Sequence, residues 1–114
     1  MLTVEKLKAW GAKADEGLGR CMNNEAFYLT LVGKALEDPG FRKLRETVAA
    51  GDLDGAFEAA HALKGVTLNL ALTPISEVVE RITELLRSRT EMDYGPLVKE
   101  IEEEREKLVV IQNS

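Results

Sequence analysis

The sequence predicts an all-α protein, an antiparallel four-helix bundle with a short extra N-terminal helix. Apolar residues recur at the spacing of amphipathic helices along most of the 114 residues. No segment alternates polar and apolar residues as a strand would, and β-branched residues are not clustered. Short breaks that contain glycine, proline or capping residues separate the helical stretches, so neighbouring helices are expected to be antiparallel.

The first half of the chain predicts three helices and a connector. Thr3 is a predicted N-cap for the short first helix. Residues 11–24 are interrupted by Gly17 and Gly19 and are predicted to form a connector with a short helix. Asn23 or Asn24 then caps a helix that the segment Asp38-Pro39-Gly40 interrupts. Because proline suits the first turn of a helix, a second helix is expected to continue from there, with Asp38 as its N-cap. The pattern leaves open whether the break is a kink or a turn.

The second half of the chain predicts three longer helices. Asp52 is a predicted N-cap for the first of them, because a carboxylate can accept from the free N–H groups of the first turn. Thr73 is the predicted cap of the next helix, with Pro74 at its first helical position and residues 87–90 at its end. Asp93 is the predicted cap of the last helix.

Composition excludes several classes of protein. Residues 1–114 form one domain, which is long enough to bury a core without disulfides or metals. The net charge is −5 with both signs mixed along the chain, so a nucleic-acid partner is not expected. Cys21 is the only cysteine, which fits a reducing cytoplasm. No signal peptide or membrane span is apparent, so we expect a cytoplasmic protein that contacts no membrane.

The only histidine of the chain, His61, lies in the helix that Asp52 caps. The predicted core-facing stripe of this helix consists of Leu53, Ala56, Ala60, Leu63, Thr67 and Leu70. His61 falls about 130° from the centre of that stripe, at the border of core and solvent. Lys64 and Gly65 share its side of the helix one turn on, and Leu68 two turns on. A lone histidine is usually without function, and Gly65 has two explanations, access for a partner or close packing against another helix.

The run from Ala60 to Gly65, Ala-His-Ala-Leu-Lys-Gly, continued by Val-Thr-Leu-Asn-Leu-Ala to Ala71, resembles the signature of histidine-containing phosphotransfer (HPt) domains of two-component phosphorelays. Family members often have Asn-Leu or a similar pair at the positions of Asn69 and Leu70. They usually have glycine where Ala71 stands, and many have a glutamine that holds the imidazole where Thr83 stands.

The resemblance implies roles for individual residues. His61 would accept the phosphoryl group, Lys64 would offset its charge, and Gly65 would give access. Asn69 and Thr83 would support the site from outside the groups that meet the phosphoryl group, with Thr83 at the position of the family's glutamine. The expected docking patch for a partner consists of Leu68, Leu7 and Trp10, although core packing is the more common role of a tryptophan.

The resemblance also implies partners. These are response-regulator receiver domains, which would supply the aspartate and the Mg²⁺, and a hybrid histidine kinase. The chain itself is expected to need no metal or cofactor and to be a monomer. It has no nucleotide-binding glycine loop and no second histidine, so we expect a phosphocarrier without autokinase activity.

Two other classes of function remain open from the sequence. A helical adaptor without phosphotransfer would use the same bundle, and its partner binding would be indifferent to His61→Ala. A metal-binding bundle would need further histidines, such as paired Glu-x-x-His motifs, and the chain has only one histidine.

Overall fold

The computed structural model describes residues 1–114 and contains seven helices and no strand. The helices are α1 (Val4–Trp10), α2 (Ala14–Arg20), α3 (Glu25–Leu36), α4 (Pro39–Ala49), α5 (Leu53–Asn69), α6 (Thr73–Arg87) and α7 (Gly95–Gln112). The break at residues 37–38 is therefore a turn between two helices. No helix is both long and apolar enough to cross a membrane.

The four sides of the bundle are α3 with α4, then α5, α6 and α7. Helices α3 and α4 lie one after the other along α7, and both are antiparallel to it, as two contacts show. The Arg105 guanidinium donates to the carbonyl of Leu36 at 2.6 Å, and Glu102, earlier in α7, pairs with Arg45, later in α4, at 3.0 Å. The predicted all-α antiparallel bundle is confirmed, with α1 and α2 as short additional helices.

Helix α5 lies between α4 and α6 and packs closely along both. Its direction is opposite to that of α6, since Asp54 pairs with Arg89 just beyond α6, and Lys64, further along α5, lies opposite Glu84, earlier in α6. The core is a cluster of 26 buried residues from every helix. Its largest fully buried side chains include Tyr28, Leu7, Leu36, Leu44, Leu63, Leu72, Ile75, Ile82, Ile101 and Leu108.

Four of the predicted helix caps are confirmed. The side chains of Thr3, Asn24, Asp38 and Asp52 each accept a hydrogen bond from a backbone N–H in the first turn of α1, α3, α4 and α5, respectively. These bonds satisfy donors that have no partner inside the helix, which fixes where each helix begins.

Two predicted caps are different in the structure. Thr73 is the first residue of α6 and Leu72 is its N-cap; the Thr73 hydroxyl donates to the carbonyl of Ala71 at 3.3 Å, so it does not cap the helix. Tyr94 is the N-cap of α7, but the Asp93 carboxylate still accepts from the N–H of Gly95 at 2.8 Å. The Asp93 prediction was therefore wrong by one residue and right about the hydrogen bond.

The C-terminal end of α5 is held by contacts with α2 and α3. The Arg20 guanidinium donates to the carbonyls of Leu68 and Asn69 at 2.7 and 3.2 Å. The Tyr28 hydroxyl donates to the carbonyl of Leu70 at 2.8 Å. These bonds satisfy carbonyl groups that the end of a helix leaves unpaired, and they fix α5 against the bundle.

Candidate functional site

His61 lies in the middle of α5 with an exposed side chain. Its neighbours Ala60 and Leu63 have no exposed surface, so they fix the rotation of the helix about its axis. The exposed side of α5 at this height carries His61, Gly65 and Leu68, with Lys64 partly exposed beside them. The imidazole is therefore open to a protein partner as well as to solvent.

No hydrogen bond to a side chain or to the backbone restrains the imidazole of His61. Its aromatic neighbour is Phe57, one turn earlier in α5, whose ring centroid lies 5.7 Å away at an interplanar angle of 42°. The guanidinium carbon of Arg87, from α6, lies 5.1 Å from the centroid of the Phe57 ring. The three side chains thus form a continuous contact from α6 across Phe57 to His61.

Lys64 is the cation nearest to His61 along α5, one turn further on. Its side chain is 30% exposed, and its Nζ atom lies 3.9 Å from Oε1 of Glu84 on α6. The other oxygen of Glu84 lies 3.4 Å from Nε of Arg87. One carboxylate is therefore shared by two cations at the edge of the site.

Gly65 is exposed, and a Cβ atom added to it would meet no atom within 4 Å. Close packing against another helix is therefore excluded as the reason for this glycine. Glycine costs roughly 1 kcal/mol relative to alanine inside a helix, so the structure of the free chain offers no gain to offset that cost. The missing side chain leaves bare backbone one turn from the imidazole.

Leu68 and Asn69 lie beyond Gly65 near the end of α5. Leu68 is 37% exposed and is one of the few large apolar side chains that the structure leaves exposed. Asn69 is eight residues beyond His61, about 12 Å along the helix axis. Its amide therefore lies too far along α5 to bond the imidazole directly, and a supporting role for Asn69 in the site stays a prediction.

The predicted contact between Thr83 and the imidazole is absent. It has no exposed surface, and its hydroxyl donates to the carbonyl of Val79 at 2.6 Å. A threonine inside a helix commonly bonds the carbonyl four residues earlier, and this one has no second proton to donate. The expected hydrogen bond from α6 to the ring is therefore absent.

The predicted docking patch is smaller than the sequence suggested. Leu7 has no exposed surface and belongs to the core, so its predicted part in docking was wrong. Trp10 is partly buried, and its indole N–H donates to the Glu104 carboxylate of α7 at 2.9 Å. That contact gives Trp10 a structural role, the alternative that the sequence also allowed. Leu68 is the predicted docking residue that lies on the exposed side of α5.

Sequence reasoning missed Phe57, Glu84 and Arg87. Phe57 could have been found, because it precedes His61 by four residues and therefore lies over the same side of the helix. The two α6 residues depend on the register between α5 and α6, which has no signal in a single sequence. No three His, Cys, Asp or Glu side chains are placed to hold a metal ion together.

An exposed histidine on a central helix of an antiparallel bundle, with a lysine and a glycine one turn on, defines a class of protein rather than a single one. The family model of the Hpt domain matches residues 29–109, well over half of the chain. The chain therefore belongs to the Hpt domain family, whose members act in two-component phosphorelays as phosphocarrier modules and not as kinases. No curated protein and no solved structure matched the chain.

Proposed function

We propose that the protein is a phosphorelay intermediate that accepts a phosphoryl group on His61 from a receiver aspartate and passes it to a second receiver. The observation that supports this most directly is that the only histidine of an Hpt domain chain is exposed at the middle of α5. A histidine suits the role because its unperturbed pKa of about 6.5 leaves much of it neutral near pH 7, with a free lone pair on one ring nitrogen.

The chemical step is an in-line displacement at phosphorus. The lone pair of Nε2, the ring nitrogen remote from the backbone, forms the N–P bond while the bond from phosphorus to the aspartyl oxygen breaks. The carboxylate leaves with the electron pair of that bond, and the proton on Nδ1 stays on the ring. The reverse displacement, by the carboxylate of a second receiver, returns the imidazole to its neutral form.

Lys64 would act on the charge that the phosphoryl oxygens carry. Its present partner is Glu84, at 3.9 Å, and both side chains are partly exposed. Such pairs contribute only about 0–1 kcal/mol, so the ammonium group can turn towards an incoming phosphoryl group at little cost. The flexible stem of lysine allows this without movement of the helix.

Gly65 and Leu68 would form the docking surface for the receiver. The bare backbone at Gly65 lets the partner approach the imidazole closely, and the exposed Leu68 supplies apolar contact one turn further on. The receiver would bring the aspartate and the Mg²⁺. Receivers and hybrid histidine kinases act in the cytoplasm, so we place the protein there, as a monomer whose residues 1–114 act as one module.

The proposal is tested by incubating the protein with a phosphorylated receiver domain and following the label. The native chain should acquire phosphate that is labile in acid and stable in base, as expected of a phosphohistidine. His61→Gln should acquire none while keeping the helical circular dichroism of the native chain. Label that persists in His61→Gln would refute the role of His61, and receiver binding without any label on the native chain would show an adaptor instead of a carrier.

A further inference from the structure

The orientation of the His61 ring needs an explanation that hydrogen bonding does not provide. Neither ring nitrogen has a partner in the protein, and the hydroxyl of Thr83, where many family members have glutamine, is bonded to Val79. A ring that rotates freely about its side-chain bonds presents its nucleophilic nitrogen in the right direction only part of the time. Fixing that direction is a large part of what a protein contributes to such a step.

Phe57 is placed to restrict that rotation. Side chains of a helix point back towards its N-terminus, so the imidazole of His61 extends over the turn that contains Phe57. The centroid distance of 5.7 Å and the angle of 42° lie within the range that aromatic pairs favour. Phe57 itself is only partly exposed and packs against the core, so the core restricts the movement of its ring.

Arg87 holds the Phe57 ring from the neighbouring helix. Its guanidinium carbon lies 5.1 Å from the ring centroid, within the range of a cation–π contact. Its Nε atom also lies 3.4 Å from Glu84 within α6, an exposed contact of the kind that contributes little, so the ring of Phe57 is the contact that matters here. The restraint on His61 therefore extends across the interface of α5 and α6.

We propose that Phe57 is a positioning residue for His61, and that Arg87 supports it from α6. The ring contact takes the place of the hydrogen bond that Thr83 does not make. This proposal rests on the proposed function for its consequence in phosphotransfer, but the restraint on the ring exists in the free protein. It can therefore be measured whether or not His61 is phosphorylated.

The first experiment measures the mobility of the imidazole by NMR relaxation in the free protein. Because the chain has one histidine, its ring gives a single, unambiguous set of signals. Phe57→Leu, which keeps an apolar side chain and removes the ring, should lower the order parameter of the imidazole. Phe57→Tyr, which keeps the ring, should restore the native value. An unchanged order parameter in Phe57→Leu, or no recovery in Phe57→Tyr, would overturn the proposal.

The support from Arg87 is tested separately, with variants of exposed residues that leave the core intact. Arg87→Gln should lower the order parameter of the imidazole in the same direction as Phe57→Leu, and by less. Arg81→Gln is the matched control, since Arg81 is also exposed on α6 but pairs with Glu100 of α7. Equal effects of the two arginine variants would show that Arg87 plays no special part.

The second experiment measures transfer from a phosphorylated receiver. Phe57→Leu should lower kcat by roughly fivefold to tenfold with KM little changed, because the ring is misdirected while the docking surface is kept. Phe57→Tyr should recover the native kcat. A rise in KM with native kcat would make Phe57 a docking residue and overturn the positioning role. If the native chain shows no transfer at all, the proposed function is refuted, but the NMR measurement still tests whether Phe57 restrains the imidazole.

Discussion

Lys64 and Glu84 form an ion pair across the interface of α5 and α6, with Nζ 3.9 Å from Oε1. The same carboxylate lies 3.4 Å from Arg87, so Glu84 holds two cations beside the exposed His61. In the free protein, the charge of the candidate phosphoryl-binding lysine is therefore partly neutralised. An incoming phosphoryl group would compete with Glu84 for Lys64 and would also be repelled by the carboxylate.

Glu84→Gln is expected to speed the transfer of a phosphoryl group to His61 severalfold. The change frees Lys64 and removes a negative charge close to the incoming phosphoryl oxygens. Stability should change by less than about 1 kcal/mol, because both partners of the ion pair are partly exposed. The measurement is the initial rate of labelling by a phosphorylated receiver at low ionic strength, with urea unfolding to follow stability.

Glu77→Gln is the matched control for that experiment. Glu77 is also exposed on α6 but forms no ion pair, so its variant should leave the rate nearly native. High salt should reduce the advantage of Glu84→Gln, because screening weakens interactions between exposed charges. A rate in Glu84→Gln at or below the native one would show that the carboxylate does not restrain Lys64.

Gly65→Ala is expected to raise stability and lower phosphotransfer. The added Cβ meets nothing in the free protein, so the helix should gain about 0.5–1 kcal/mol. The same methyl group would stand between a receiver and the imidazole. Gly19→Ala is the control, since a Cβ at this helical glycine of α2 also meets nothing; it should leave transfer unchanged. Native transfer by Gly65→Ala would leave the glycine without a role in access.

The parts of the site that depend on one helix could be predicted from the sequence. The position of His61 at the edge of the core stripe and the caps at Asp38 and Asp52 follow from spacing and side-chain chemistry alone. The contacts of Glu84 and Arg87 with α5 could not be predicted, because they depend on how far α6 is shifted along α5. That shift results from the packing of many buried side chains at once.

Two wrong predictions have the same origin. Thr83 was expected to reach the imidazole and Leu7 was expected to be exposed, and both are completely buried. The apolar spacing of α1 shows that the helix has a buried side, but it does not show how much of Leu7 the rest of the bundle covers. Burial of that kind is a property of the assembled bundle and not of the local sequence.

Ala71→Gly is expected to stabilise the protein by roughly 0.5–1 kcal/mol, because Ala71 has a φ of +56°. A side chain in this left-handed region is strained and glycine is not, which also gives a physical reason for the glycine that family members usually have here. The methyl group of Ala71 is not part of the main core cluster, so little packing is lost. Urea unfolding measures the change, and Ala26→Gly within α3 should destabilise by a similar amount.

Tyr28 should make the protein sensitive to alkali. Burial raises the pKa of Tyr28 from 10.0 to about 12, and the nearby Cys21 adds to the shift. Because the folded state holds the phenol proton more tightly than the unfolded chain, this contribution to stability is complete below pH 10.0 and is lost as the pH rises towards about 12.

The contribution is isolated by comparing Tyr28→Phe with the native chain. The variant loses the hydrogen bond to the Leu70 carbonyl, which should cost about 1 kcal/mol at neutral pH. Its stability should then fall less steeply than that of the native chain between about pH 10 and about pH 12. Parallel pH profiles for the native chain and Tyr28→Phe would refute this assignment.

Leu68 and Leu7 should respond in opposite ways to replacement by alanine. Leu68 is 37% exposed, so Leu68→Ala should change stability by no more than about 0.5 kcal/mol while weakening receiver binding by about 1 kcal/mol, or roughly fivefold. Leu7 has no exposed surface, so Leu7→Ala should cost about 2–5 kcal/mol of stability. Val110→Ala is the control for binding, since Val110 is 59% exposed on α7. Calorimetric titration with a receiver measures the affinities, and equal losses in Leu68→Ala and Val110→Ala would contradict docking beside Gly65.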